Sequence, residues 1–197
     1  INEVITNYAN EVTDHKRGDK SFVHPNDDVN ACQSSNDSFP CAMHIALSLE
    51  LVQNLLPELV KLKQSLETKI SEFEGIIRVG RTHLQDAVPI QLSQSFSAYL
   101  QFINDSIERI HVSLDSLYEI PVGATAVGTG LNASDMFVSE TIGKLNEYTQ
   151  LPFVSSPNNF ASLSAHSAIT STSAHIATLA AHLNKMANDI RLLGSGP

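Results

Sequence analysis

Apolar residues recur at steps of three and four along three stretches of this chain. Met43, Leu47, Leu51, Leu55, Leu59, Leu62, Leu66, Ile70 and Phe73 make the first stripe. Leu92, Phe96, Tyr99, Ile103, Ile107, Ile110, Leu114 and Leu117 make the second. Leu163, Ile169, Ile176, Leu179, Leu183, Met186 and Ile190 mark the third, with Ala and Ser filling the spaces. Side chains at that spacing share one face of an α-helix, so each stripe predicts a helix of about 30 residues, roughly 45 Å long. An average globular helix has about 11–12 residues. Helices this long must be covered along their length by other helices, which predicts an all-α fold built as a long-helix bundle. The small residues of the third helix let neighbours approach closely and suit a central position. One chain supplies too few helices to surround all three, so the missing neighbours are expected from other subunits.

The punctuation agrees with the periodicity. Ser38 or Asp37 can cap the first helix, with Pro40 in its opening turn, and Pro89 stands at the start of the second. Pro57 falls inside the first stripe and should kink it. A shorter helix is expected over about 134–149, ending before Leu151-Pro152. Gly123 to Asn132 contains three glycines and other small residues, a tight loop where backbone approaches something closely, and it has neither Rossmann nor P-loop spacing.

Candidate chemistry sits in two polar segments, each expected to lead into a long helix. One runs His24-Pro25-Asn26-Asp27-Asp28-Val29-Asn30 to Gln33-Ser34-Ser35-Asn36-Asp37; the other is Gly80-Arg81-Thr82-His83-Leu84-Gln85-Asp86. Free backbone N–H groups and the helix dipole favour an anion at such a place. His24, Asn26, Ser34, Ser35, Asn36, Thr82 and His83 form an unusual set. Ser, Thr and Asn can hold a carboxylate with neutral hydrogen bonds, and His83 can move a proton or activate water. No Gly-x-Ser-x-Gly hydrolase motif and no zinc-type ligand spacing occur. What remains is a metal-free acid–base reaction on a carboxylate. Plainer readings stand beside it: a solvated turn at Asn26–Asn30, simple helix capping by Ser34, Ser35 and Asn36, a structural His83. His111, His166, His175 and His182 receive no role.

Charge and length narrow the classes. A net charge of −9, with 12 basic residues spread without a run, argues against nucleic acid as the main partner. No apolar stretch approaches the roughly 20 residues of a membrane span. Cys32 and Cys41 form no disulfide framework or metal spacing and read as reduced thiols of a cytosolic or organelle-matrix protein. Its 197 residues run from Ile1, without an initiator Met, to Gly194-Ser195-Gly196-Pro197, a turn, and read as a fragment.

Taken together, the motifs closely resemble those of class II fumarases (fumarate hydratases) in the wider fumarase/aspartase superfamily. The matching motifs are the two polar segments quoted above, Gly128-Thr129-Gly130-Leu131-Asn132, and Asn188-Asp189-Ile190-Arg191-Leu192-Leu193-Gly194-Ser195-Gly196-Pro197. The resemblance covers essentially the whole chain. It implies a homotetramer around a bundle of long helices, with active sites shared between subunits and no cofactor or metal. Residues 1–197 would be a single central helical domain, lacking an N-terminal part and a later Ser-Ser loop with its domain. By the family pattern Ser34, Ser35, Asn36 and Thr82 bind substrate carboxylates and His83 acts in proton transfer through water. His24, Pro25, Asn26 and Asp27 match a second, nearby dicarboxylate site. The implied reaction is reversible addition of water to fumarate, giving (S)-malate, in the cytoplasm or mitochondrial matrix. Aspartate ammonia-lyases carry Gln where this chain has His83, and Ser-Thr-Asn-Asp where it has Ser34 to Asp37, so they stand second. A third reading, a non-catalytic helical scaffold, is suggested by Pro157-Asn158-Asn159-Phe160-Ala161, where fumarases read Pro-Asn-Lys-Phe-Glu.

Overall fold

The computed structural model describes residues 1–195. In chain order it contains α1 (Asn2–Val12), a π-helical turn (Pro25–Val29), α2 (Ser35–Glu50), a π-helical segment (Leu51–Leu55) and α3 (Leu56–Glu72). There follow β1 (Ile77–Thr82), β2 (Gln85–Gln91), α4 (Leu92–Leu117), β3 (Glu119–Ile120), α5 (Asp135–Thr149), β4 (Val154–Ser155), α6 (Asn159–Ser164) and α7 (Ser167–Leu193). Helix dominates, as the periodicity predicts. The chain divides into two compact units: residues 1–46 with 118–166, and residues 47–117 with the segment from Ser167 onward. Of the last quoted motif, Gly196 and Pro197 lie outside the described residues.

In the second unit α4 packs against both α3 and α7. Within this unit α4 therefore has a helical neighbour on two sides. Ile103, Ile110 and Leu117 of α4 are almost wholly buried; each such side chain contributes about 1.5–3 kcal/mol. On α7 only Thr172 and Leu179 are fully buried. The predicted kink at Pro57 takes the form of the five-residue π-helical segment immediately before it. A proline offers no N–H to the preceding turn, and one extra residue in that turn absorbs the mismatch. Leu51 and Leu56, five apart across the segment, are both buried.

One sequence expectation fails in this unit. Gly80–Asp86 does not lead directly into a helix. β1 and β2 pair antiparallel, with Thr82 opposite Gln85 and a bulge between Val79 and Arg81. His83 and Leu84 make the two-residue turn, with φ 51° and 62°. Positive φ at both positions matches the twist of a hairpin, which usually calls for Asn-Gly. Because neither residue advertises that turn, the pattern read as an open loop. Pro89 sits in β2 opposite Val79, and α4 starts only at Leu92.

A second correction concerns hydropathy. The helical run Ser35–Glu72 contains an 18-residue window of mean hydropathy 1.2, apolar and long enough by composition to cross a membrane, and a third of it is buried. The run is nevertheless striped, with Asp37, His44 and Ser48 buried in it and Glu50, Gln53, Asn54 and Glu58 exposed. Core helices of water-soluble proteins pass the same test.

The first unit is held around Phe153, which is fully buried and packs edge-on against Tyr118 with centroids 5.5 Å apart. Asn146 locks that residue by accepting its N–H at 2.9 Å and donating to its carbonyl at 3.0 Å. β3 and β4 form a short parallel pair, Glu119 with Val154 and Ile120 with Ser155. The helix expected over 134–149 is α5, capped by Ser134 and closed by Gln150 in the left-handed conformation at φ 58°. The Gly123–Asn132 loop has positive φ at Gly123, Thr125, Gly128, Gly130 and Asn132. A Cβ at Gly128 would lie 2.9 Å from the Phe160 ring, so the close approach read from its glycines is real there. α1 escapes the hydrophobic pattern because it buries Thr6 and Asn10 while Val4, Tyr8 and Val12 face outward.

Candidate functional site

The sequence-predicted residues fall into both units. In the first, His24 stands before the π-helical turn and its Nδ1 accepts the N–H groups of Asn26 at 3.3 Å and Asp27 at 3.1 Å. Asp28 returns the favour by accepting the His24 N–H at 2.6 Å. Pro25, buried, opens the turn, where its missing N–H costs nothing. The same His24 nitrogen lies 3.1 Å from an Asp27 carboxylate oxygen, an ion pair only when the ring is protonated. The backbone donors are fixed, whereas the Asp27 side chain is 82% exposed and free to turn to water. The bonding pattern therefore places the neutral ring's proton on Nε2.

Ser34 caps α2. Its hydroxyl accepts the Asn36 N–H at 3.2 Å, and Asp37 accepts the Ser34 N–H at 2.9 Å, a reciprocal capping box. The cap is thus Ser34 rather than Ser38 or Asp37. Asn36 donates from its side-chain amide to the Ala126 carbonyl at 2.8 Å, while the other Asp37 oxygen takes the Thr125 N–H at 2.7 Å. These bonds bring the Gly123–Asn132 loop against the start of α2. A cleft of about 730 Å³ results, lined by Asn26, Asp27, Ser34, Ser35, Thr125, Thr129 and Asn132 among others. Two candidate sites kept apart in sequence, Ser34–Ser35 and Asn26–Asp27, thus share one polar cleft. Asn36 and His24 do not line it; they brace it. Cys41, buried below, has its thiol pushed up to about 12, first by burial and then by the Asp37 charge, so it offers no nucleophile.

The second unit carries Thr82 and His83 at the exposed hairpin tip. His83 lines a cleft of about 880 Å³ with Arg78, Arg81, Tyr99, Lys185 and Asp189. Three cations against one carboxylate make this wall basic in a chain of net charge −9, which suits an anionic ligand. Arg81 is partly neutralised by Asp86 at 3.2 Å, and Arg78 donates to the Ser95 hydroxyl at 2.6 Å. The Tyr99 hydroxyl donates to Asp189 at 3.0 Å. Sequence reasoning gave Arg78, Tyr99 and Lys185 no part in a site and Asp37 only a capping role. The Ser-x-x-Asp spacing was the one local signal that could have found Asp37; nothing local marks the others.

The departing motif at 157–161 opens α6. Asn158 caps it by accepting the Ala161 N–H at 3.0 Å, so the turn survives without the family's Lys and Glu, and Asn159 keeps a buried, unpartnered side-chain oxygen.

A family model described as lyase matches residues 1–197. The chain belongs to this lyase family. It is 51% identical, over its full length, to the mitochondrial fumarate hydratase of Rattus norvegicus, covering 39% of that protein. Against the class II fumarate hydratase of Rickettsia conorii the identity is 50% over 197 residues, again the whole chain and 42% of the relative. The crystal structure of class II fumarase from Schistosoma mansoni superposes with a TM-score of 0.95 at 38% identity, over all of this chain and 44% of that one. The chain thus spans about two fifths of the length of these relatives, and the motif resemblance to class II fumarases extends along all of it.

Proposed function

We propose that the protein containing this segment is a fumarate hydratase, interconverting fumarate and (S)-malate by reversible addition of water. The observation that carries the reading is the polar cleft of Ser34, Ser35, Thr125, Thr129 and Asn132 in a chain half identical, throughout, to fumarate hydratases. Hydroxyls and amides can hold a carboxylate without a full counter-charge. In the dehydration direction a proton leaves the carbon beside a carboxylate and charge develops on that carboxylate's oxygens. Donors held in place before the substrate arrives, the loop by its tie to Asn36 among them, stabilise that charge as it forms. Ser34, Ser35, Asn36 and Thr82 are the carboxylate-binding residues of this reading, Asn36 by way of the loop it holds. His83 moves a proton through water from its exposed tip. His24, Pro25, Asn26 and Asp27 form a second dicarboxylate site in this reading, of which Asn26 and Asp27 line the same cleft.

Ser34 and His83 belong to different compact units, and the family resemblance implies that such residues meet across subunits of a homotetramer. The reading takes residues 1–197 as part of one central helical domain, working in the cytoplasm or mitochondrial matrix; the relatives include mitochondrial and bacterial enzymes. The test follows the ultraviolet absorbance of fumarate after (S)-malate is added to the full-length protein, with L-aspartate in parallel. A rise with malate alone, abolished by His83→Asn in a folded protein, supports the hydratase. Release from aspartate would make it an ammonia-lyase, and silence with both would leave the scaffold.

A further inference from the structure

Among the described residues Asp37 is the one buried carboxylate, 2% exposed. A charged group is costly to bury unless donors meet it, and here each oxygen has its own. Oδ1 takes the Ser34 N–H at 2.9 Å and Oδ2 the Thr125 N–H at 2.7 Å. Those donors come from two segments that both line the 730 Å³ cleft, Ser34 and Ser35 at the start of α2, and Thr125, Thr129 and Asn132 in the Gly123–Asn132 loop. Thr125 is held at φ 58°, a conformation that a β-branched residue rarely adopts. Its backbone N–H is directed at the carboxylate in that unusual conformation, and Asn36 adds a second tie to the adjacent Ala126 carbonyl.

We propose that Asp37 is the positioning residue of this cleft. By gripping Ser34 with one oxygen and Thr125 with the other, it sets the distance between the serine wall and the Thr129 wall, and through that distance the affinity for a small dicarboxylate. This assignment rests on the dicarboxylate reading above. Asp37→Asn keeps the shape but turns an NH₂ toward one of the two N–H donors, so one wall is released. Asp37→Glu keeps charge and both acceptors but lengthens the reach by one methylene, so the walls move apart.

The experiment measures kcat and KM for (S)-malate and fumarate, with thermal unfolding, on the full-length wild type and both variants. A hydrogen bond to a charged group is worth roughly a factor of ten or more. KM should therefore rise about tenfold in Asp37→Asn, while kcat changes by less than about threefold. In Asp37→Glu the preference for fumarate over its C-methyl derivative should fall, because a wider cleft admits the extra methyl group. A merely structural role would lower the unfolding temperature and the fraction of active protein while leaving KM and that preference where they were; this result overturns the proposal. If Asp37→Asn does not fold, unchanged KM and preference in Asp37→Glu overturn it equally. A wild type silent on malate defeats the hydratase reading instead. Calorimetric titration with fumarate then decides the positioning role, and equal affinity in wild type and Asp37→Asn counts against it.

Discussion

Replacing Tyr99 with Phe would test the basic cleft at a single atom. The Tyr99 hydroxyl donates to Asp189 Oδ2 at 3.0 Å, and Lys185 reaches the same oxygen at 2.5 Å. Phe keeps the ring that packs edge-on against Phe96. Lys185 remains in the variant, so Asp189 is not stranded, and the loss at neutral pH should be near the low end for a bond to a charged acceptor, about 1.5 kcal/mol. The pH dependence is the sharper signature. Burial first, then the bond to and charge of Asp189, push the Tyr99 phenol from 10.0 up to about 12. Although the ring is buried, the residue lines the open 880 Å³ cleft, so solvent screening takes a large part of the effect. Two powers of ten in proton affinity would correspond to about 2.7 kcal/mol unscreened, and screening leaves about 1 kcal/mol of it. A raised phenol favours the folded state below its unfolded value, so this contribution is complete below pH 10 and is lost as the pH climbs toward 12. The variant has nothing to lose there. Its deficit of about 1.5 kcal/mol should shrink as the pH rises from 10 to 12. At the acid end Lys185, foremost, and also Tyr99 hold the Asp189 carboxyl below 3.8. That contribution is present above the usual carboxylate range and lost as the pH falls through the lowered value, and less of it is lost in the variant. Urea unfolding of both proteins across the pH series reads these differences; midpoints that run parallel from neutral pH to 12 would refute the reasoning.

Two further outcomes follow from the first unit. Phe153→Ala should destabilise the protein by about 3–5 kcal/mol, because a fully buried ring leaves a cavity beside Tyr118; a loss below about 1 kcal/mol in urea unfolding would mean that the core there is not closed. Ser34→Ala should cost about 1 kcal/mol by removing the cap of α2 and should also raise KM for malate. Ser38→Ala, whose hydroxyl donates only to the Ser34 carbonyl at 2.7 Å, should leave KM alone, and equal effects from the two serines would separate Ser34 from substrate binding.

The long helices were legible because α-helical periodicity is a local property: Ile103, Ile110, Leu114 and Leu117 face inward for the reason their spacing announces. The span of α5, expected over about 134–149, was legible in the same way, as was the tight Gly123–Asn132 loop with its three glycines. The hairpin under His83 was hidden, since strand pairing depends on a partner segment and the His83-Leu84 turn lacks the Asn-Gly chemistry that would signal it. α1 was hidden for the opposite reason, its buried residues being Thr6 and Asn10, which no hydrophobic pattern marks.

The candidate site divides along the same line. The chain's own order of residues identified His24, Asn26, Ser34, Ser35, Asn36, Thr82 and His83 as a polar set, because side-chain chemistry and motif spacing are carried by the sequence itself. Only the tertiary structure placed Asn26 and Asp27 on one cleft with Ser34 and Ser35, tied Asn36 and His24 to backbone groups beside it, and set Arg78 and Lys185 beside His83. Asp37 shows why. Its two bonds reach three residues in one direction and 88 in the other; the first is a spacing that can be read along the chain, and the second exists only once folding has brought Thr125 to it.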